Sequence, residues 1–275
     1  MKRLFLLILT LLLTSGLVTA QERSPYDIAL ERIEAARVSG ARELDLNYGY
    51  LETLPPEIGQ VTTLTWLSLD GNQLTSLPPE IVDLTNLTYL SLYDNKLTSL
   101  PPEIGQLTNL HELFVHKNQL TSLPPEIGQL SSLKLLWLHE NQLEILPTEI
   151  GQLTNLGDFG ASKNQLTSLP PEIGQLSKLV RLDISSNLLT SLPPEIGQLN
   201  RLDQLYIDSN PLITPPEDVV AQGTPAILDY LRNQAAMQAQ QVTLAIVDMV
   251  GLVAAFLLAF RWKTRRPNRK KKRAI

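Results

Sequence analysis

Cysteine is missing from all 275 residues, which excludes a disulfide framework, a thiolate zinc site, a cysteine nucleophile and a lipid-modified N-terminal cysteine. Aromatic residues make up only 5% of a chain that is 43% apolar, so its apolar content is mostly aliphatic. No Gly-x-x-x-x-Gly-Lys-Ser/Thr string occurs, and a P-loop nucleotide site is excluded with it. Basic residues are thin in the body: Gln21 to Gln241 holds 12 Lys/Arg against 27 Asp/Glu, a net of −15 within a whole-chain charge of −5. Nucleic acid is a poor partner for such a body, because binding there begins with neutralising phosphates.

Long apolar runs are confined to the two ends. Met1-Lys2-Arg3 precedes Leu4 to Leu13, a stretch broken only by Thr10, and Val18-Thr19-Ala20 supplies small residues for cleavage. Residues 1–20 thus read as a secretory signal peptide. The alternative is an uncleaved anchor, since Leu4 to Ala20 is 17 residues and a span needs roughly 17 to 25. Val242 to Phe260 is a 19-residue apolar run, about 28 Å long as a helix and close to the ~30 Å of bilayer hydrocarbon. A transmembrane helix is expected over 242–260. Residues 261–275 carry nine Lys/Arg, beginning Arg261-Trp262-Lys263; the positive-inside tendency places this basic tail in the cytoplasm and the acidic body outside, on a single-pass membrane anchor. Trp262 fits an interfacial aromatic, and anionic lipid headgroups would be attracted to the tail. Asp248 interrupts the apolar run at a cost of up to about 2.5–3.5 kcal/mol at mid-bilayer. It either pairs with a residue of another membrane helix or is outweighed by its Val, Leu and Phe neighbours.

Between the ends the sequence repeats. Asn72, Asn95, Asn118, Asn141, Asn164, Asn187 and Asn210 recur at a step of 23, and Leu54, Leu77, Leu100, Leu123, Leu146, Leu169 and Leu192 keep the same step, mostly inside the string LPPEIGQL. In one copy Leu87, Leu90 and Leu92 end in alternation, as a short strand with one buried face requires, while Tyr89 and Ser91 point the other way. Asn95 falls where the chain turns inward, and a buried amide offers two donors and an acceptor to the backbone of the turning loops. Pro101-Pro102 removes two backbone donors and steers the following piece into short helical or extended structure. One coil cannot close a core, so neighbours must stack with parallel strands about 4.8 Å apart.

The pattern LxxLxLxxNxL followed by LPPEIGQL resembles the leucine-rich repeat family in its 23-residue form. The resemblance implies an α/β solenoid: a right-handed curved array of about eight coils with a parallel concave sheet, helical caps and, from the run above, one C-terminal transmembrane helix. Strand centres fall at Leu44, Leu67, Leu90, Leu113, Leu136, Phe159, Leu182 and Leu205, with the array over 41–217. An N-terminal helical cap is expected over 21–40, opened by Ser24-Pro25-Tyr26-Asp27 and closed at Ser39-Gly40. Over 218–241 a C-terminal cap and linker follows, with Thr224-Pro225 opening a helix that offers Ile227, Leu228, Tyr230 and Leu231. The first copy carries Gly49 in place of Asn and the last brings Pro215-Pro216-Glu217 one residue early, as terminal repeats do. Family members mostly bind other proteins, so the resemblance implies a non-enzymatic protein- or peptide-binding module without cofactor. An envelope glycan-binding or structural surface protein is the alternative.

Outward strand positions across the copies define the concave face. One column reads Glu43, Trp66, Tyr89, Glu112, Leu135, Asp158, Arg181, Gln204; the next Asp45, Ser68, Ser91, Phe114, Trp137, Gly160, Asp183, Tyr206; the third Asn47, Asp70, Tyr93, His116, His139, Ser162, Ser185, Asp208. Trp66, Tyr89, Tyr93, Phe114, His116, Trp137 and His139 thus gather on coils two to five as the candidate ligand-binding residues. Exposed rings mark interfaces; the competing reading is that they shield the inner sheet from water. His116 and His139 are expected about 5 Å apart, a spacing that permits a shared metal but lacks an obvious third ligand, so no metal site is expected. The recurring acids Glu57, Glu80, Glu103 and Glu126 read as solvated decoration of the convex side.

Overall fold

The computed structural model describes residues 23–264; side chains at 247, 248, 251, 255 and 258–264 lie outside that description. The expected signal peptide at 1–20 and residues 265–275 of the basic tail fall outside the described residues, as do the side chains of Asp248 and Trp262.

Helix α1, Pro25–Ser39, begins where Ser24 accepts a hydrogen bond from the Asp27 amide while the Asp27 carboxylate accepts one from the Ser24 amide. Two of the four orphan donors of a helix start are satisfied this way. It ends at Gly40, whose φ of 65° lets its amide turn back to the Ala36 and Arg37 carbonyls. Ala29, Ile33 and Ala36 are buried against the first coil.

Eight three-residue strands follow: β1 Glu43–Asp45, β2 Trp66–Ser68, β3 Tyr89–Ser91, β4 Glu112–Phe114, β5 Leu135–Trp137, β6 Asp158–Gly160, β7 Arg181–Asp183 and β8 Gln204–Tyr206. They form one parallel sheet in chain order, and every pairing advances the register by one repeat, as in Glu43↔Trp66 and Trp66↔Tyr89. Seven five-residue 3₁₀ turns line the opposite side, from Pro56–Gln60 to Pro194–Gln198. Six of them start on the second proline of the pair, whose fixed φ suits a helical first position and whose missing donor costs nothing there. Between the two sides lies an aliphatic core; within one coil Leu113, Val115, Leu120, Ile127, Leu130 and Leu133 are wholly buried, each contributing roughly 1.5–3 kcal/mol.

The asparagine ladder closes each turn. The Asn118 amide donates to the carbonyls of Leu92, one coil back, and of Val115, while its Oδ1 accepts from the Leu97 amide at 2.9 Å. The residue before each Asn carries a left-handed φ of 52–62°, from Tyr48, before Gly49, and Gly71 through Asp94, Lys117, Glu140, Lys163, Ser186 and Ser209, a conformation costing about 1 kcal/mol for a non-glycine residue. The glycine of the PEIG strings has a different purpose: a Cβ on Gly128 would stand 2.5 Å from the Glu149 carbonyl oxygen, so its bare backbone lets the next coil come this close. Val82 occupies that position in the second of these turns.

A short helix α2, Glu217–Val220, and a long helix α3, Thr224–Thr264, close the chain. The first turns of α3 cover the last coil through buried Ile227, Leu228 and Leu231, and Arg232 Nε donates to the Gly197 carbonyl at 2.8 Å. Past Gln238 the helix leaves the array. Among the described residues no helix is long and apolar enough to cross a membrane. The transmembrane helix expected over 242–260 is therefore not carried by the structure; seven of its 19 side chains lie outside the description. One further expectation is corrected: the acids of the 3₁₀ turns are not freely solvated decoration. Glu57, Glu80 and Glu126 are half-buried and Glu103 alone of the four is exposed; an oxygen of Glu57 is buried without a partner.

Candidate functional site

The sheet face opposite the core carries a continuous run of rings. Trp66 stacks on Tyr89 with centroids 5.2 Å apart and planes 15° from parallel. Tyr89 meets Phe114 at 5.3 Å, and Phe114 meets Trp137 edge-on at 5.2 Å. In-register parallel pairing brings these side chains within one strand spacing of each other, which is why consecutive coils build a ribbon. A second row runs beside the first: Tyr93 lies 4.4 Å from His116, which meets Trp137 at 5.6 Å and His139 at 6.5 Å. All seven expected ligand-binding residues thus come together, each half-buried, while Ser68 and Ser91 are buried beneath them.

Polar groups fix the second row. Asp70 Oδ1 accepts from the Ser91 hydroxyl and from the Tyr93 amide at 2.9 Å. His139 Nδ1 accepts from the Ser162 amide at 3.1 Å and lies 2.6 Å from its hydroxyl. Its ring leans over Gly160, where a Cβ would stand 2.0 Å from His139 Nε2. His116 differs, because its Nδ1 is buried with no partner. Burial, reinforced by neighbouring His139, pushes His116 down to about 4, and burial likewise lowers His139. Both rings are neutral near pH 7. The pair is turned edge-on, and among the described residues no group of three His, Cys, Asp or Glu side chains is placed to hold a metal ion. At the rim, Lys117 donates to the Tyr93 hydroxyl at 2.8 Å and sits 5.1 Å over its ring.

Sequence reading missed two aromatics. Tyr48 and Tyr50 on the first coil are 67% and 70% exposed, and both have left-handed backbones. With Arg23, Arg32 and Leu46 they border a cleft of about 250 Å³. Neither belongs to the outward strand columns, so the period-two argument could not find them; their departure from the Asn-turn pattern of later copies was the available signal. A second cleft, about 400 Å³, lies between the last coils and α3, bordered by Ser168, Ser191, Thr214, Gln234 and Gln238.

This architecture is shared with known proteins. A leucine-rich repeat region model matches residues 83–164, and leucine-rich repeat models match 159–212 and 63–84. The chain is a leucine-rich repeat protein. A search of curated proteins returns no significant match. Among solved structures, a leucine-rich repeat protein of Leptospira interrogans is 38% identical, with 64% of this chain and 57% of that one covered and a TM-score of 0.48. The plant peptide hormone receptor RGFR1 in complex with RGF2 is 32% identical over 64% of this chain and 30% of its own, with a TM-score of 0.56. The leucine-rich repeat domain of the type III effector XopL is 23% identical over 76% and 84%, with a TM-score of 0.60. The chain thus spans just over half of the Leptospira protein and under a third of the plant receptor.

Proposed function

We propose that this chain is a non-enzymatic module that captures a peptide or protein on the ring-lined face of its sheet. The observation that carries this reading is the unbroken run of ring contacts from Trp66 to Trp137 on a face where each ring is left half-exposed among the described residues. Half-exposed aromatics at fixed positions on a rigid frame are low-entropy anchors, and such residues dominate interface energetics. The likeness to a plant peptide hormone receptor solved in complex with RGF2 supports a peptide as the ligand. Sugar stacking needs free ring faces, whereas Trp66 and Tyr89 turn theirs toward each other, so the glycan reading draws less support. Substituting Trp66, Tyr89 and Trp137 by Ala should abolish partner capture while leaving the unfolding transition cooperative; undiminished capture would contradict the reading.

The module is displayed outside the cytoplasm on a single-pass anchor at Val242–Phe260, with the basic tail inside and near anionic headgroups. Support comes from the sequence run and from the state of α3, where Val242, Leu244, Ile246, Met249, Val250, Leu252, Val253, Phe256 and Leu257 are 51–73% exposed, uncovered by any other element among the described residues. Apolar area of that extent requires lipid or protein around it. The absence of cysteine makes orientation directly measurable. Ser131→Cys should react with a membrane-impermeant maleimide on intact cells and Asn268→Cys only after lysis; the reverse pattern would overturn the topology.

A further inference from the structure

Acids border the ring ribbon. Across the three outward columns the face carries Glu43, Asp45, Asp70, Glu112, Asp158, Asp183 and Asp208 against one base, Arg181, a net of −6 with both histidines neutral. Arg181 is already engaged, 3.9 Å from Asp183 and 5.2 Å from the Tyr206 ring. Asp70 holds Ser91 and Tyr93, and Asp183 holds Ser185. Glu112 and Asp158 differ from these. They are half-buried, make no ion pair among the described residues, and share one column two coils apart with Leu135 between them. Among the described residues the side-chain partner of Asp158 is the Trp137 indole, at a long 3.4 Å.

Resting on the binding role argued above, we propose that the occupant of this face is a basic linear segment. An apolar side chain of the segment settles against Leu135, Phe114 and Trp137, and two cationic side chains flanking it reach Glu112 and Asp158. Two strand spacings put the acids about 9.6 Å apart, and three residues of an extended polyproline-II chain advance about 9.3 Å while returning to the same side. The matching ligand therefore carries Lys or Arg at positions i and i+3. Carboxylates partly withdrawn from water attract a cation more strongly than carboxylates on an open surface. The same groups repel an acidic competitor, so the face selects as well as binds. The net charge of −15 over the body draws cations in at long range.

The test is selection of a random linear peptide library against the full chain in detergent micelles, followed by fluorescence anisotropy of the selected peptides. Peptides with Lys or Arg at i and i+3 around an apolar residue are expected. Their affinity should fall at least about ten-fold on Glu112→Gln/Asp158→Asn, weaken in high salt, and be unchanged by Glu144→Gln on an exposed position away from the face. Neutral or acidic peptides that lose binding on Trp66→Ala/Trp137→Ala would overturn the basic occupant and leave the ring-lined site standing. Basic peptides indifferent to both sets of substitutions, or no selected peptide at all, would overturn both. Unchanged thermal unfolding of the acid variants separates lost recognition from lost fold.

Discussion

On coils two to five the sheet face holds Trp66, Tyr89, Tyr93, Phe114, His116, Trp137 and His139; on coils six to eight the same positions hold Asp158, Gly160, Ser162, Arg181, Asp183, Ser185, Gln204, Tyr206 and Asp208. Beneath both regions the core positions are buried and, apart from Phe159, aliphatic, and Asn118 and Asn187 make the same set of bonds. One skeleton thus carries two surfaces. Stability resides in residues that recur every coil, while the recognition proposed above falls to residues that do not, so substitutions at the two kinds of position should have separable effects.

The largest effects should come from the skeleton and be equal in both regions. Leu136→Ala under the rings and Leu182→Ala under the polar coils should each cost about 2–5 kcal/mol in denaturant unfolding; a difference larger than about two-fold would break the comparison. Asn118→Ala and Asn187→Ala should follow at about 1–3 kcal/mol, because each strands buried backbone groups. At the boundary between the regions, Gly160→Ala drives a Cβ into the His139 ring, and a loss of about 1 kcal/mol is expected. Its signature should be a changed Trp137 fluorescence, since Trp137 and His139 are neighbours at 5.8 Å.

The smallest effect concerns pH. In the folded chain His116 lies at about 4, below its ordinary value of 6.5, so between these pH values the unfolded chain binds more protons than the folded one. Stability therefore falls as pH drops through that window. Burial is the main cause, with His139 and Lys117 opposing the charged ring and Asp70 and Glu140 favouring it. His116→Phe should flatten the pH dependence of unfolding between 6.5 and 4, and an unchanged slope would show that the ring titrates freely.

The array was legible in the sequence for a physical reason. A step of 23 in Asn and Leu can be kept only if each coil faces an equivalent neighbour, so Leu90, Leu113 and Leu136 announced parallel strands in register, and Asn72 to Asn210 announced the ladder. The ring cluster was legible as columns, since strand alternation sends Tyr89 and Trp137 to one face. Its internal order was not. Ring angles, the seat of His139 on Ser162 and the unpartnered nitrogen of His116 depend on side-chain packing between coils, which periodicity does not encode. The left-handed residue before each Asn also escaped, because Lys117, Glu140 and Lys163 lack the glycine that usually marks such a turn. Half-burial of Glu80 goes with the close stacking that Gly59 permits, since a Cβ there would stand 2.6 Å from the Glu80 carbonyl oxygen.

The division between the two surfaces can be tested by placing a photo-crosslinking side chain at Tyr89, at Gln204 and at Glu103 of the full chain and mapping the adducts formed with a selected peptide. Adducts at position 89, with few at 204 and none at 103, are the predicted result. Equal yields at all three positions, or adducts confined to position 103 on the side of the 3₁₀ turns, would contradict the assignment of recognition to the ring-lined coils.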